Sequence, residues 1–269
     1  MGALSIRDNA SQEIMHNPVG PWIEANSLYI EQSELQRRLG EDLTTELVIF
    51  DVGLGAAANA LAVLHCARAL SVRRPLRLMS FERDLELLQF ALDNANSFAH
   101  FKGFETAVKS ILTTGKWEEL GISWELRSGN FIELIEHEPH AAHIVFYDPY
   151  SFKKNPEMWM PEVFRKVREK CSPNGILFTY SRATPIRVGL LIAGFFVGAG
   201  VATGSKDETT QASLRLADLT SPLGQAWLGR WQRSRNPNCA GASEEGLVAT
   251  REFILSHAQF TSLARDGLL

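Results

Sequence analysis

The feature that most restricts this chain is a unit that recurs along it: a short apolar run closed by an acidic residue, a turn, and then a helical stretch. Residues 47–50 (Leu-Val-Ile-Phe) lead into Asp51 and a glycine turn, and residues 56–70 follow as an alanine- and leucine-rich helix. Residues 76–81 make the next strand, closed by Glu82, and residues 85–94 set Leu85, Leu87, Leu88, Ala91 and Leu92 on one helical face. Alternation over residues 124–127 predicts a third strand before Gly129. Residues 143–147 predict a fourth, ending at Asp148-Pro149, and residues 175–180 a fifth. Helices are expected over 161–171, where proline opens the run, and over 185–193. Strands separated by helical crossovers predict an α/β fold with a doubly wound, mostly parallel, Rossmann-like sheet.

The expected organisation is an N-terminal cap segment over residues 1–40, a core over 41–215 and a helical extension over 216–269 packed on it. Within the cap, residues 27–39 read as a strand followed by a helix. In the extension, one helix is expected over 222–233, with Leu223, Trp227, Leu228 and Trp231 on one face, and another from an N-cap at Ser243 through residue 255. The uncharged run 188–205 reaches the length of about 18 residues at which a membrane span becomes conceivable. Glycines at 194, 198, 200 and 204 divide it, so a short helix closing on Gly194 and a buried strand from Phe195 explain it better.

Composition narrows the function classes. Of 269 residues 45% are hydrophobic and 22% charged, the balance of an ordinary globular protein. Lys plus Arg number 27 against 31 Asp plus Glu, a net charge of -4, so no global positive field advertises a polyanionic partner. Cys66, Cys171 and Cys239 are odd in number and widely spaced, against a disulfide framework or a zinc site. The first residues carry neither a charged stretch before an apolar run nor a myristoylation pattern, so a cytoplasmic protein without membrane anchor or metal is expected, and a monomer.

In an open parallel sheet ligands bind beyond the carboxyl ends of the strands, at the switch point. Asp51 to Ala58 there satisfies Gly-x-Gly-x-x-Ala through Gly53, Gly55 and Ala58, a pattern that also suits an NAD-binding turn with Glu82 on the ribose. Asp51 separates the two readings. A carboxylate beside the turn would repel a pyrophosphate, whereas the ammonium and sulfonium of S-adenosyl-L-methionine are attracted by it. Glu82, closing the next strand, can accept both ribose hydroxyls. At the fourth strand, Asp148-Pro149-Tyr150 resembles the Asp-Pro-Pro-Tyr motif of methyltransferases acting on exocyclic amines. There a carboxylate and backbone carbonyls hold the target nitrogen in line with the methyl group, and Tyr150 can flank the amine or stack on a base.

Over residues 13–212 the chain is similar to the methyltransferase module of the MnmC-like family, the bacterial tRNA wobble-uridine enzymes that complete 5-methylaminomethyl-2-thiouridine. Residues 17–31 carry part of the resemblance, with Glu24 opening Glu-Ala-Asn-Ser-Leu-Tyr-Ile. Residues 50–61 carry another part, and in residues 148–159 the run Lys-Asn-Pro-Glu-Met-Trp is the most specific match. Residues 178–195 match Thr-x-Ser and Val-Arg-x-x-Leu-x-x-Ala-Gly-Phe elements through Thr179, Ser181, Arg187, Leu190 and Ala193-Gly194-Phe195. The resemblance implies an S-adenosyl-L-methionine-dependent methyltransferase acting on the aminomethyl group of a tRNA wobble uridine, with the anticodon arm as partner. It implies Glu24, Asp51, Gly53, Gly55, Glu82, Asn130 and Asp148 at the cofactor, and Asp148 with Tyr150 at the accepting amine. Two departures stand out. Asn130 follows Gly129 where the family commonly has Asp, and Pro149-Tyr150-Ser151-Phe152 replaces the usual Ala-Phe-x-Pro after the acid.

Three alternatives remain open at this level: another amine acceptor, an NAD-binding oxidoreductase, and a catalytically silent binding module. Two basic clusters bear on RNA, one at Arg165, Lys166, Arg168 and Lys170, the other at Arg215, Arg230, Arg233 and Arg235. Lys153, Lys154 and Lys206 lie nearer the expected site. His16 and Asn17 precede a tight turn and are expected to be structural.

Overall fold

A computed structural model describes residues 6–7, 14–15, 20–202, 207–234 and 244–265. His16, Asn17, Lys206, Arg235, Cys239 and Ser243 lie outside the described residues. Strands β1 (Ile6–Arg7) and β2 (Ile14–Met15) pair antiparallel by themselves. Eight further strands form one sheet: β3 (Leu47–Val52), β4 (Leu76–Glu82), β5 (Lys116–Glu119), β6 (Ile122–Ser128), β7 (Ala142–Tyr147), β8 (Cys171–Thr179), β9 (Phe196–Gly200) and β10 (Thr209–Ser213). Their order is β5-β6-β4-β3-β7-β8-β10-β9. The strands from β6 to β8 are parallel, and β5, β9 and β10 pair antiparallel with their neighbours. The chain therefore starts at β3, winds outward through β4 to β6, and returns to β7 on the other side of β3. That reversal is the switch point of a doubly wound, Rossmann-like sheet.

Strand β3 is buried at all six positions, as a central parallel strand covered on both faces must be, which is why its sequence is an unbroken apolar run up to Asp51. On one face, α3 (Ala58–Arg68) packs its small and aliphatic residues with those of α4 (Glu86–Asp93) and α5 (Glu105–Thr114) over Leu47, Ile49, Leu78 and Trp124. On the other, α6 (Phe131–His137), α7 (Pro161–Glu169) and α8 (Thr184–Ile192) cover Val48, Phe50, Val145 and Leu177. The uncharged run divides as its glycines predict: α8 closes at Ala193, Gly194 takes φ +90°, and β9 follows. Among the described residues no helix is long and apolar enough to cross a membrane.

One sequence expectation is corrected, and two elements form where none was expected. The expected strand within residues 27–39 is helical: α1 (Pro21–Ala25) runs into one π-helical turn, Asn26–Glu31, and α2 (Leu35–Gly40) follows. Leu28, Tyr29 and Ile30 are buried together, a spacing that a two-sided strand could not bury on one side. The segment 105–119, which gives no clear strand or helix signal in the sequence, forms α5 and the edge strand β5. Residues 209–213, polar in sequence, form the buried strand β10, because their side chains are satisfied internally: Thr210 Oγ1 donates to Ser181 O at 2.6 Å and Gln211 Nε2 to Ala199 O at 3.0 Å.

The tail continues as α9 (Gln225–Gln232), α10 (Glu244–Ser256) and α11 (Ala258–Arg265). Trp227, Leu228 and Trp231 join the core cluster of β8 and β9. Gln259 is fully buried, with its amide bonded to both the N–H and the C=O of Val197 at 2.7 Å, so α11 is tied to the sheet edge by polar contacts.

Candidate active site

A cleft opens at the carboxyl ends of β3, β4, β6 and β7, where ligands bind in an open parallel sheet. Val52, Gly53 and Gly55 wall it from β3, Phe81, Glu82 and Arg83 from β4, and Gly129 to Ile132 from β6 and α6. Asp148, Pro149, Tyr150, Asn155, Glu157 and Met158 complete it.

The glycine turn is fixed by close approach. Gly53 has φ +91°, and a Cβ there would lie 2.6 Å from the carbonyl oxygen of Asp148, so only glycine lets the two strand ends meet. Gly55 donates its N–H to Glu82 Oε2 at 3.1 Å, and Glu82 Oε1 accepts from the N–H groups of Arg83 (2.8 Å) and Asp84 (3.2 Å). Three backbone donors thus lock the Glu82 carboxylate at the rim, with lone pairs left for further donors.

Asp51 does not line the cleft. Strand β3 continues through Val52, and the Asp51 side chain is wholly buried beneath the turn, where Oδ2 accepts from Ser80 Oγ at 2.8 Å and Oδ1 has no partner. Ser80 Oγ in turn accepts from Trp124 Nε1 at 3.0 Å. Burial, with the nearby Asp148 and Glu82 charges adding, pushes the Asp51 carboxyl up to about 8 against the opposing Ser80 hydrogen bond. Glu24 stands on α1 outside the cleft wall, close enough to Tyr29 for its charge to be felt there. Asn130 reaches the rim, but its Oδ1 caps α6 by accepting from Ile132 N at 3.1 Å while Nδ2 donates to Glu133 Oε1 at 2.9 Å.

Asp148 is held from both sides. Its N–H donates to Val52 O at 2.9 Å, and its Oδ2 accepts from Asn59 Nδ2, a residue of α3, at 2.8 Å. The carbonyls of Pro149 and Tyr150 accept from Tyr180 Oη (3.1 Å) and Trp159 Nε1 (2.8 Å), and Tyr147 Oη donates to Met158 O. Each of these two carbonyls gives one of its two lone pairs to the scaffold, so the loop is fixed around the Asp148 carboxylate. Asn59, Tyr180, Trp159 and Tyr29 were not singled out as site residues by sequence reasoning. The one local signal was an asparagine inside the apolar helix 56–70, a poor helix former without an evident cap to make.

Among the described residues no group of three or more His, Cys, Asp or Glu is placed to hold a metal ion. Burial pushes the Cys66 and Cys171 thiols up to about 11 and about 12, far from the range of a reactive thiolate. The cations of α7 are largely used internally: Lys166 pairs with Glu136, Arg168 Nε donates to Gly194 O at 3.1 Å, and Lys170 Nζ to Glu138 O at 2.8 Å. Arg215 pairs with Asp218 at 2.6 Å.

Comparison with known proteins agrees with this geometry. Residues 105–215 match the family described as S-adenosyl-L-methionine-dependent methyltransferase. The tRNA 5-methylaminomethyl-2-thiouridine biosynthesis bifunctional protein MnmC of Methylibium petroleiphilum is 31% identical over 104 residues, 39% of this chain and 16% of that protein. An uncharacterized protein of Methanocaldococcus jannaschii is 23% identical over 218 residues, 78% of this chain and 57% of its own length. The chain thus spans less than two thirds of either relative. The crystal structure of MNMC2 from Aquifex aeolicus shares the fold, with a TM-score of 0.71 at 20% identity over 93% of this chain and 80% of that one.

An acid-rimmed cleft at the switch point and a glycine turn with no room for a side chain accompany a Rossmann-like methyltransferase fold, in which residues 105–215 match the S-adenosyl-L-methionine-dependent methyltransferase family. Part of the chain is thus similar in sequence to an MnmC protein, and its fold is similar to that of MNMC2.

Proposed function

We propose that this methyltransferase acts on the aminomethyl amine of a tRNA wobble uridine, turning 5-aminomethyl-2-thiouridine into 5-methylaminomethyl-2-thiouridine. The observation that carries the reading is Asp148: a carboxylate just after β7, bonded by Asn59, on the wall of the cleft. An amine is the acceptor such a group binds best, because the carboxylate takes its N–H hydrogens, leaves the lone pair for attack and stabilises the positive charge that develops on nitrogen. Tyr150 flanks the same wall. The similarity to an MnmC protein of tRNA 5-methylaminomethyl-2-thiouridine biosynthesis supports tRNA as the molecule carrying that amine.

S-adenosyl-L-methionine supplies an electrophilic methyl group on a sulfonium centre. Glu82 is assigned to the ribose hydroxyls, Gly53 and Gly55 to the methionine end, and Asn130 to the adenine rim, with Phe131 and Ile132 flanking the ring. Asp51, held protonated beneath the turn, is assigned a structural role through Ser80, and Glu24 a role at the cap, attractive to a cationic ligand.

A second reading, methyl transfer to an amine on a protein or small molecule, is favoured by the internal pairing of the α7 cations, which leaves Lys153, Lys154 and Arg83 as exposed cations around the cleft. Nucleoside analysis of tRNA from a strain lacking the gene decides between them. Accumulated aminomethyl nucleoside is expected, and an unchanged profile refutes the tRNA assignment. Calorimetry should show S-adenosylhomocysteine binding and none for NAD; the reverse would remove the chain from the methyltransferases. Asp148→Ala should keep S-adenosylhomocysteine affinity and lose transfer by about 100-fold or more.

A further inference from the structure

Tyr29 is 1% exposed, and its ring packs 4.8 Å from Phe146, which lies two residues before Asp148 on the same face of β7. It is carried on the π-helical turn Asn26–Glu31, an unusual conformation frequent at functional sites. Its buried hydroxyl makes no hydrogen bond of ordinary geometry among the described residues, and the acceptor within its reach is the Asp148 side chain. The hydroxyl lies in the field of Asp148. Burial first, then the Asp148 and Glu24 carboxylates and Tyr180, hold its phenol well above the usual range, so it stays a neutral O–H donor. Asn59, 6% exposed in an apolar helix, already donates to Asp148 Oδ2 at 2.8 Å.

The groups that act electrostatically on this corner come from several elements: Asn59 from α3, Tyr29 from the π turn, Asp51 from β3, Glu24 from α1 and Tyr180 after β8. They are hydrogen-bond donors or acids. Two neighbouring carboxyls do not both ionise freely, and the one with the drier surroundings keeps the proton. Asp51, wholly buried and with one oxygen unpaired, is the drier of the two. The neutral donors around Asp148 favour its ionised form.

The geometry points to a positioning unit behind the acceptor site, Asn59 with Tyr29, that holds the Asp148 carboxylate ionised and turned toward the incoming amine, Asn59 through one oxygen and the Tyr29 hydroxyl from the opposite element. This inference rests on the reading that Asp148 binds the accepting amine. Tyr29 acts through Asp148, since it does not itself line the cleft.

The test is the titration of the Asp148 carboxyl carbon by NMR on protein labelled at aspartate, assigned with Asp148→Asn and without any ligand bound. A hydrogen bond to the ionised form lowers a carboxyl pKa, so Tyr29→Phe should raise the Asp148 midpoint by about half to one unit while S-adenosylhomocysteine affinity stays within about two-fold. Asn59→Leu, which keeps the buried volume, should move it the same way. With aminomethyl tRNA as acceptor, the acid limb of kcat should shift upward in both variants, with the KM for S-adenosyl-L-methionine unchanged. An unmoved midpoint in whichever variant remains folded overturns the unit, even if wild-type protein methylates tRNA at full rate. A raised midpoint in a protein that leaves tRNA unmethylated supports the unit and overturns the tRNA reading instead.

Discussion

Asp51 and Gly53, two positions apart, serve different ends. Gly53 is fixed by space: φ +91° and the Asp148 carbonyl 2.6 Å from any added Cβ. Gly53→Ala should therefore cost about 2 kcal/mol or more of stability and weaken S-adenosylhomocysteine binding, read by urea denaturation and calorimetry. Asp51 is fixed by charge. Its carboxyl, pushed up to about 8, binds its proton more tightly folded than unfolded, so its contribution is fully present below the unfolded value near 3.8 and is lost as pH rises through about 8. Asp51→Asn should flatten the fall of Tm between those limits. A wild-type Tm that does not decline relative to the variant over that window would show that Asp51 ionises at no cost.

At the scale of elements, the loop after β7 is held as a unit by aromatic donors. Trp159 bonds the Tyr150 carbonyl and meets Tyr147 and Tyr180 edge-on at 5.4 and 5.6 Å, so the acceptor wall is tied to β7 and to the segment after β8 at once. Trp159→Phe keeps an aromatic ring and removes the donor. It should destabilise by about 1–3 kcal/mol and raise the KM for the methyl acceptor, leaving cofactor affinity as it was, as steady-state kinetics and denaturation would read. The π-helical turn plays the corresponding part on the other face, carrying Tyr29 toward β7 where a regular helix would rotate it away.

At the scale of the whole molecule, a net charge of -4 and an acidic cleft suit a cationic cofactor and an amine better than a phosphate backbone. Binding of tRNA should then rest on few contacts. With Lys153, Lys154 and Arg83 as the exposed cations beside the cleft, the logarithm of the tRNA association constant should fall with that of salt at a slope of about -2 to -3. Lys153→Ala and Lys154→Ala should each reduce that slope by about one, measured by filter binding over a salt series. A steep slope unaffected by both changes would move the RNA surface elsewhere on the protein.

The order of local signals along the chain determined the class of fold, because apolar runs bounded by acids and glycines are a short-range property: β3, β4, β7 and the Gly53 turn could be placed from neighbours alone. The acids closing those runs located the cleft for the same reason. What only the tertiary structure decided were relations between distant residues. Asn59 meets Asp148 across 89 positions, Asp51 sinks below the turn because β3 extends one residue further, and polar β10 is buried because partners from other elements satisfy it. Burial and hydrogen bonding depend on what the rest of the chain brings alongside, and they set which of two neighbouring carboxyls is held protonated and which faces the substrate.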